Sequence, residues 1–234
     1  MLTFQERIVG RKLRLMAAAV CCLSSLASAG GMYDTNLVLN PSFEVVDPMN
    51  PLEGRPWLWS YTGDAKMWPY ADLDLAVPEP TGDPGNWSYV FGGAMELSSV
   101  SQSIDVSSIA AHIDRGGVTC ELSAYLGGQN DQEDNAVLTA EFLDGIGGSL
   151  GTLTLGPVTA GDRGGVTSML YRQDSCPVPA GSRSVDVTIT MTWVDDNWND
   201  GYADLVNLKL VPEPATVSLL VLGALVLIRR RRRK

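Results

Sequence analysis

The strict alternation of apolar and polar side chains over residues 183–193 limits the possible folds of this chain more than any other feature of its sequence. Apolar residues occupy every second position there, at Val185, Val187, Ile189, Met191 and Trp193. Because successive side chains of a strand point to opposite faces, the pattern predicts a half-buried β-strand. Residues 118–125 alternate in the same way, and two glycines follow at 127 and 128. The chain therefore needs a sheet with one face in a core and the other in water.

Short strand-like runs continue through most of the chain and are separated by turn residues. The runs are residues 36–39, 95–106, 136–143, 150–155, 166–172 and 202–210. Gly-rich turn pairs lie between them, and no long helical period is present. This pattern predicts an all-β fold, an antiparallel β-sandwich of the jelly-roll type. Residues 44–92 are dense in Pro, Gly and Trp, and they are predicted to be long loops at one end of the sandwich.

The N-terminal 29 residues have the three parts of a signal peptide. Four basic residues within positions 7–14 precede an apolar run at 15–26, and the small residues Ala27 and Ala29 follow it. The basic part stays in the cytoplasm while the short apolar helix enters the bilayer, and small residues fit signal peptidase. Cleavage is expected after Ala29. Two cysteines at 21 and 22 offer a lipoprotein as the weaker alternative, because the residues before them form a poor lipobox.

The C-terminal segment begins with Val211, Pro212, Glu213 and Pro214. The two prolines hold this motif extended and remove two backbone donors. The apolar run at 217–228 follows, and as a helix it would be about 18 Å long, short of a bilayer core of about 30 Å. Six cations then end the chain and oppose translocation. A short transmembrane helix that anchors the chain temporarily is predicted, with a plain permanent anchor as the alternative.

This order of motif, apolar run and arginine cluster resembles the sorting tail of the PEP-CTERM family. The resemblance covers residues 211–234 and implies that an exosortase recognises the motif, removes the tail and releases the protein from transient inner-membrane association. It implies export to the cell surface or to an extracellular polysaccharide matrix. A second copy of the tetrapeptide at 77–80 is followed by polar residues and is predicted to be an ordinary loop. The expected domains are a signal peptide (1–29), a β-sandwich (30–210) and the sorting tail (211–234).

Charge excludes two classes of partner. Residues 30–210 comprise 181 residues, enough for one well-cored domain, and contain 7 Lys and Arg against 25 Asp and Glu. A net charge of −18 repels phosphate, so nucleic acid and anionic membrane surfaces are not expected as partners.

Two segments near the ends of the predicted sandwich resemble galactose-binding-like jelly-rolls, a fold used by carbohydrate-binding modules. They are the Asn-Pro-Ser-Phe-Glu element that ends at Glu44 and the Tyr-Ala-Asp element that ends at Asp204. The resemblance implies a structural calcium ion held by Glu44 and Asp204, because a hard cation takes carboxylate oxygens. The equal alternative is that both acids cap strand ends in water. The acidic stretches 130–135 and 195–201 lack EF-hand spacing, and they are predicted to be polar loops first and weak cation sites second.

The cysteines at Cys120 and Cys176 lie in the predicted exported domain. Export permits a disulfide, but sequence alone leaves a disulfide and a pair of buried thiols as equal alternatives. Neither cysteine has CxxC spacing, and His112 is the sole histidine, so a zinc site is not expected.

Tryptophans are the candidate ligand contacts. Flat rings stack on the apolar faces of sugars, and several tryptophans fall in predicted loops. The candidates are Trp57, Trp59, Trp87 and Trp198, with Trp68 and Tyr70 in the same group. Core packing is the more frequent role of any single tryptophan. As a set they favour an extracellular polysaccharide as partner.

Catalysis has little support in the sequence. A nucleophile elbow, a zinc-protease motif and a phosphate-binding loop are all missing, and 25 acids single out no glycosidase pair. The expected function is a non-catalytic, exosortase-sorted surface protein that binds carbohydrate. A small extracellular glycan-active enzyme and a purely structural matrix component are the alternatives.

Overall fold

The computed structural model describes residues 31–72, 87–195 and 197–213. The predicted signal peptide with its cleavage site at Ala27 and Ala29, the second tetrapeptide at 77–80, and the tail from Pro214 onward lie outside these ranges.

Strands dominate the parts of the chain that the structure describes. The strands are β1 (Ser60–Thr62), β2 (Lys66–Pro69), β3 (Ser88–Gly93), β4 (Leu97–Asp105), β5 (Val118–Gly128), β6 (Asn135–Leu143), β7 (Ser149–Leu155), β8 (Ser168–Pro177), β9 (Ser184–Thr192) and β10 (Asn199–Pro212). Two four-residue helices, α1 (Ala110–Ile113) and α2 (Ala160–Arg163), and 3-10 turns at Tyr70–Asp72 and Ser107–Ile109 connect them. The helices in the described ranges have four residues at most, whereas a membrane-spanning helix needs about 20.

The strands form two five-stranded antiparallel sheets. The first sheet has the order β1-β4-β9-β6-β7, and the second sheet has the order β2-β3-β10-β5-β8. Strand β9 is central in the first sheet, where it pairs with β4 and β6, and β10 is central in the second, where it pairs with β3 and β5. The predicted all-β antiparallel sandwich is confirmed.

The core lies between the inner faces of the two sheets. Strand β9 shows why, because its four apolar side chains Val185, Val187, Ile189 and Met191 are fully buried while the residues between them are half-buried. Strand β5 also contributes every second side chain to this core, namely Val118, Cys120, Leu122, Ala124 and Leu126. The alternating apolar side chains of both sheets therefore face one shared core, and the polar residues between them form the outer surface of the first sheet.

Two local predictions are wrong. Residues 44–92 were expected to be loops, yet they contain β1, β2 and the start of β3, which pairs with both β2 and β10. Tyr89, Val90 and Phe91 of β3 are all buried, so both faces of the strand are covered and its sequence shows no polar alternation.

Residues 36–39 were expected to form a strand, yet they run beside β10 without a regular ladder. The Asn36 side chain bonds the backbone there, donating to the Val206 carbonyl at 2.8 Å and accepting from the Leu208 amide at 3.1 Å.

Candidate functional site

The second sheet carries a cluster of aromatic side chains on its outer face, away from the core. Cross-strand register places Phe91 opposite Tyr202, and Tyr125 opposite Tyr171. Ring centroids of Tyr89 and Tyr202 are 4.9 Å apart, and those of Tyr125 and Tyr171 are 5.4 Å apart. Tyr70, Tyr89, Phe91, Met169 and Tyr202 form a buried cluster of their own, with Tyr125 packed against it. We call this surface the outer aromatic face.

One end of the outer aromatic face is a cavity of about 260 Å³. Its apolar walls are Trp68, Tyr89, Phe91 and Trp198, and its polar groups are Gln129 and Asp200. Trp68 is 38% exposed and Trp198 is 49% exposed. Half-exposed rings beside a carboxylate and an amide suit a ligand that has both an apolar face and hydroxyl groups. We call this site the aromatic cavity.

The side chain of Lys66 contacts two aromatic rings of the cavity and one acid. The ammonium of Lys66 lies 5.6 Å from the centroid of Trp198 and 5.7 Å from that of Phe91. The same ammonium donates to Asp64 at 2.8 Å. Both centroids lie within about 6 Å of the cation, so cation–π attraction favours this placement of the two rings.

The other end of the second sheet carries a polar cavity of about 420 Å³. Register places Glu121 opposite both Lys209 and Ser175, so these three side chains share the outer face. The next row contains Asn207, Ser123 and Gln173, and Tyr171 donates to the Gln173 side chain at 3.1 Å. Since the aromatic cavity opens on the same face, a long ligand can contact both cavities across the sheet.

Two buried acids accept hydrogen bonds from tyrosine hydroxyls of the outer aromatic face. The Tyr202 hydroxyl donates to Asp200 at 3.0 Å, and the Tyr70 hydroxyl donates to Asp204 at 2.5 Å. Burial raises the pKa of Tyr202, so this phenol stays neutral and keeps its donor role. The arrangement holds the rings of the outer aromatic face in fixed orientations.

The predicted calcium ligands Glu44 and Asp204 both serve as hydrogen-bond acceptors near β3. Glu44 accepts from the backbone amides of Trp87 at 2.7 Å and Ser88 at 3.1 Å. Asp204 is fully buried and also accepts from the Leu205 amide at 2.7 Å. Across residues 31–72, 87–195 and 197–213, no group of three or more His, Cys, Asp or Glu side chains is arranged to hold a metal. Calcium binding by these two acids stays a prediction.

The predicted tryptophans separate into three environments. Trp198 lines the aromatic cavity. Trp59 is a core residue, because it is 6% exposed, packs on Phe43 at 5.2 Å and donates its indole N–H to the Asn40 carbonyl. Trp57 and Trp87 are exposed but line neither of the two cavities. Trp68, from the same group of candidates, also lines the aromatic cavity. The sequence gives no signal for Tyr89 and Phe91, because β3 lacks the alternation of a half-buried strand.

The two acidic loops meet and position the aromatic cavity. Asp134 accepts hydrogen bonds from the backbone amides of Val194, Asp195 and Asp200, which joins loop 129–134 to the residues around the start of β10. Buried Arg163 donates to four carbonyls around the first loop, those of Gly128, Asn130, Gln132 and Val166. Gln129 and Trp198 reach the cavity from these two loops. Asp134 therefore acts as a structural acceptor. Residues 130–134 form a loop as expected, whereas residues 199–201 of the second stretch belong to β10, so the loop prediction is wrong there.

The first residues of the predicted sorting motif belong to the sheet. In β10, Val211 pairs with Thr119 and Pro212 pairs with Val118. The Glu213 amide donates to the Gly117 carbonyl at 2.9 Å, and its carboxylate accepts from the Thr119 hydroxyl at 2.5 Å. The sandwich thus extends two residues past the expected boundary at 210 and continues directly into the motif.

Comparisons with known proteins give fold-level likenesses only. No family model and no curated protein matches the chain. Among solved structures, it is similar to the CBM22-1 xylan-binding domain from Paenibacillus barcinonensis Xyn10C, at 16% identity over 74% of this chain and 92% of that one, with a TM-score of 0.37.

Two other solved structures are similar to a comparable degree. A family 16 carbohydrate binding module has 19% identity over 56% of this chain and 82% of that one, with a TM-score of 0.34. The enzymatically active domain of bacteriophage CBA120 tailspike protein 4 has 14% identity and a TM-score of 0.48 over 76% of this chain, which spans only 22% of the tailspike chain. Likenesses this weak assign no function, which is inferred below from the residues of this chain.

Proposed function

We propose that this protein binds a polysaccharide chain without cleaving it, along the outer aromatic face of its second sheet. The observation that carries the proposal is the aromatic cavity, where half-exposed Trp68 and Trp198 stand beside Gln129 and Asp200. Indole rings stack on the C–H faces of a sugar while the amide and carboxylate bond its hydroxyls. The polar cavity supplies further donors and acceptors to neighbouring sugar units.

The negative charge of the domain argues against an anionic polysaccharide as the ligand. Residues 30–210 have a net charge of −18, and the acids Glu121 and Asp200 line the two cavities. A polyanionic glycan would be repelled by this field. The proposed ligand is therefore a neutral polysaccharide.

The register of β5 and β8 supports a role without catalysis. Glu121 and Asp174 both border the polar cavity, but Glu121 faces Ser175 across the ladder while Asp174 faces the core residue Leu122. Their side chains project to opposite faces of the sheet. A glycosidase needs two carboxyl groups on either side of one bond, about 5–10 Å apart. Carboxyl groups on opposite faces of a sheet do not flank one bond of a ligand that lies on the outer face.

Binding and turnover are tested together. The purified protein is run by affinity electrophoresis through gels that contain neutral or anionic polysaccharides, and each polysaccharide is then assayed for new reducing ends. Retardation by a neutral polysaccharide without new reducing ends is expected. New reducing ends would favour the glycan-active enzyme, and an absence of retardation would favour the purely structural matrix component.

For the ends of the chain, we propose export by signal peptidase processing after Ala29 and sorting by an exosortase at residues 211–214. The proposal rests on the order of motif, apolar run and arginine cluster in the sequence. Intact mass and fractionation of the protein from its host test it, with Glu213→Ala as the variant. Loss of the tail from wild type only is expected, whereas retention of residues 229–234 in both would indicate a plain anchor.

A further inference from the structure

Cys120 and Cys176 are direct cross-strand neighbours in the second sheet. They occupy the same rung of the antiparallel β5–β8 ladder. Both side chains face inward, since Cys120 belongs to the core and Cys176 packs against it. Residues on one rung of an antiparallel pair have Cα atoms about 4.5–5.5 Å apart. Disulfides span Cα separations of about 4.4–6.8 Å, so the backbone already has the required spacing.

We propose that oxidation links Cys120 and Cys176, which are free thiols in this structure, into a disulfide that fastens the edge strand β8 to β5. Strand β8 has β5 as its partner in the second sheet and ends that sheet. It also contributes Tyr171, Gln173 and Ser175 to the polar cavity. The bond therefore fixes one wall of that cavity, although its formation requires no ligand.

The partial exposure of Cys176 gives the reaction an entry point. Cys120 is fully buried, whereas Cys176 is only partly buried on the edge strand. The Cys176 thiolate attacks one sulfur of a small disulfide oxidant, such as oxidised glutathione, and releases one oxidant thiolate. The Cys120 thiolate then attacks the Cys176 sulfur of the mixed disulfide and releases the second. Two protein thiols lose two electrons and two protons, and the oxidant becomes two thiols.

The rate of this exchange depends on pH. Burial raises the pKa of Cys120 to about 12 and also raises the pKa of Cys176. Because the thiolate is the nucleophile, the bond forms slowly at neutral pH and faster as the pH rises towards 9. A pair of cysteines that acts only as core packing would show no such closure.

Oxidation should stabilise the fold measurably. The bond closes a loop of residues 120–176, and a loop of this length restricts the unfolded chain enough to lower the unfolding constant about a thousandfold. For a domain of this size, the melting temperature rises by about 10 °C. Reduction of the bond should reverse the shift.

The test compares the full-length protein after incubation with oxidised glutathione and after incubation with dithiothreitol. Peptide mapping under non-reducing conditions should find the 120–176 link, and the oxidised protein should melt about 10 °C higher. Cys176→Ala, the matched control, should lose both the link and the difference between the two treatments. The proposal would be overturned by a glutathione adduct at Cys176 without the 120–176 link. It would also be overturned if oxidised and reduced wild type melted at the same temperature.

Discussion

Replacing Arg163 with methionine should destabilise the loops that support the aromatic cavity. Arg163 is 4% exposed, and its guanidinium bonds four backbone carbonyls at 2.7–2.9 Å, three of which share the two hydrogens of Nη1. Hydrogen bonds to a charged donor contribute about 1.5–3 kcal/mol each, and part of that is offset by the lost cost of burying the charge. The expected loss is about 3–5 kcal/mol of a total stability of about 5–15 kcal/mol. Arg163→Lys should give an intermediate loss, because an ammonium lacks the planar fork.

Urea unfolding followed by tryptophan fluorescence measures this loss. Arg172→Met is the matched control, because Arg172 is on β8 and pairs with Asp162 at 3.5 Å on the surface. Exposed ion pairs contribute little, so the control should unfold at the wild-type urea concentration. A midpoint for Arg163→Met that equals the control would refute the idea that this arginine holds the loops.

Two further predictions concern the core and acid stability. Ile189→Ala should lower the free energy of unfolding in urea by about 2–5 kcal/mol, because Ile189 is fully buried in central strand β9. Thr190→Ala, on the opposite face, should lower it by less than about 0.5 kcal/mol. Similar losses in the two variants would contradict the assigned faces. The pKa of Asp114 is lowered by its hydrogen bond with Arg183 and then by the Gly181 amide. Its native pKa lies below the unfolded value of about 3.9, so its contribution is complete above about pH 5 and is lost as the pH falls through the native pKa. In Asp114→Asn, the urea midpoint should therefore decrease less than in wild type as the pH falls from 5 to 2. The same decrease in both proteins would contradict this assignment.

The strands that the sequence predicts well are those with one face in the core and the other face in water. Strand β9 alternates cleanly, and its four buried positions follow from its sequence alone. Strand β3 could not be predicted in this way. Its residues from Tyr89 to Gly93 are all buried, because the core covers one face and the outer aromatic cluster covers the other. Burial on both faces removes the alternation on which such a prediction depends.

The site depends on register, which pairs residues far apart in sequence. Composition identified tryptophans as candidates, but Trp59 and Trp198 have the same side chain and opposite environments, 6% and 49% exposed. The segments that carry Gln129 and Trp198 meet because Glu133 and Asp134 bond partners more than 60 positions further along the chain. The rung that joins Cys120 to Cys176 likewise follows from pairing of β5 with β8. None of these contacts leaves a local signal in the sequence.

The most direct test of the central claim is the affinity of Trp68→Ala and Trp198→Ala for the neutral polysaccharide that binds the wild type. Each variant removes one half-exposed ring of the aromatic cavity, and a stacking loss of about 1.4 kcal/mol corresponds to tenfold weaker binding. Trp87→Ala is the control, because Trp87 is 70% exposed and lines neither cavity. Isothermal titration should show about tenfold weaker binding for both cavity variants and wild-type binding for the control. Wild-type affinity in both cavity variants, or a loss confined to Trp87→Ala, would contradict binding at the outer aromatic face.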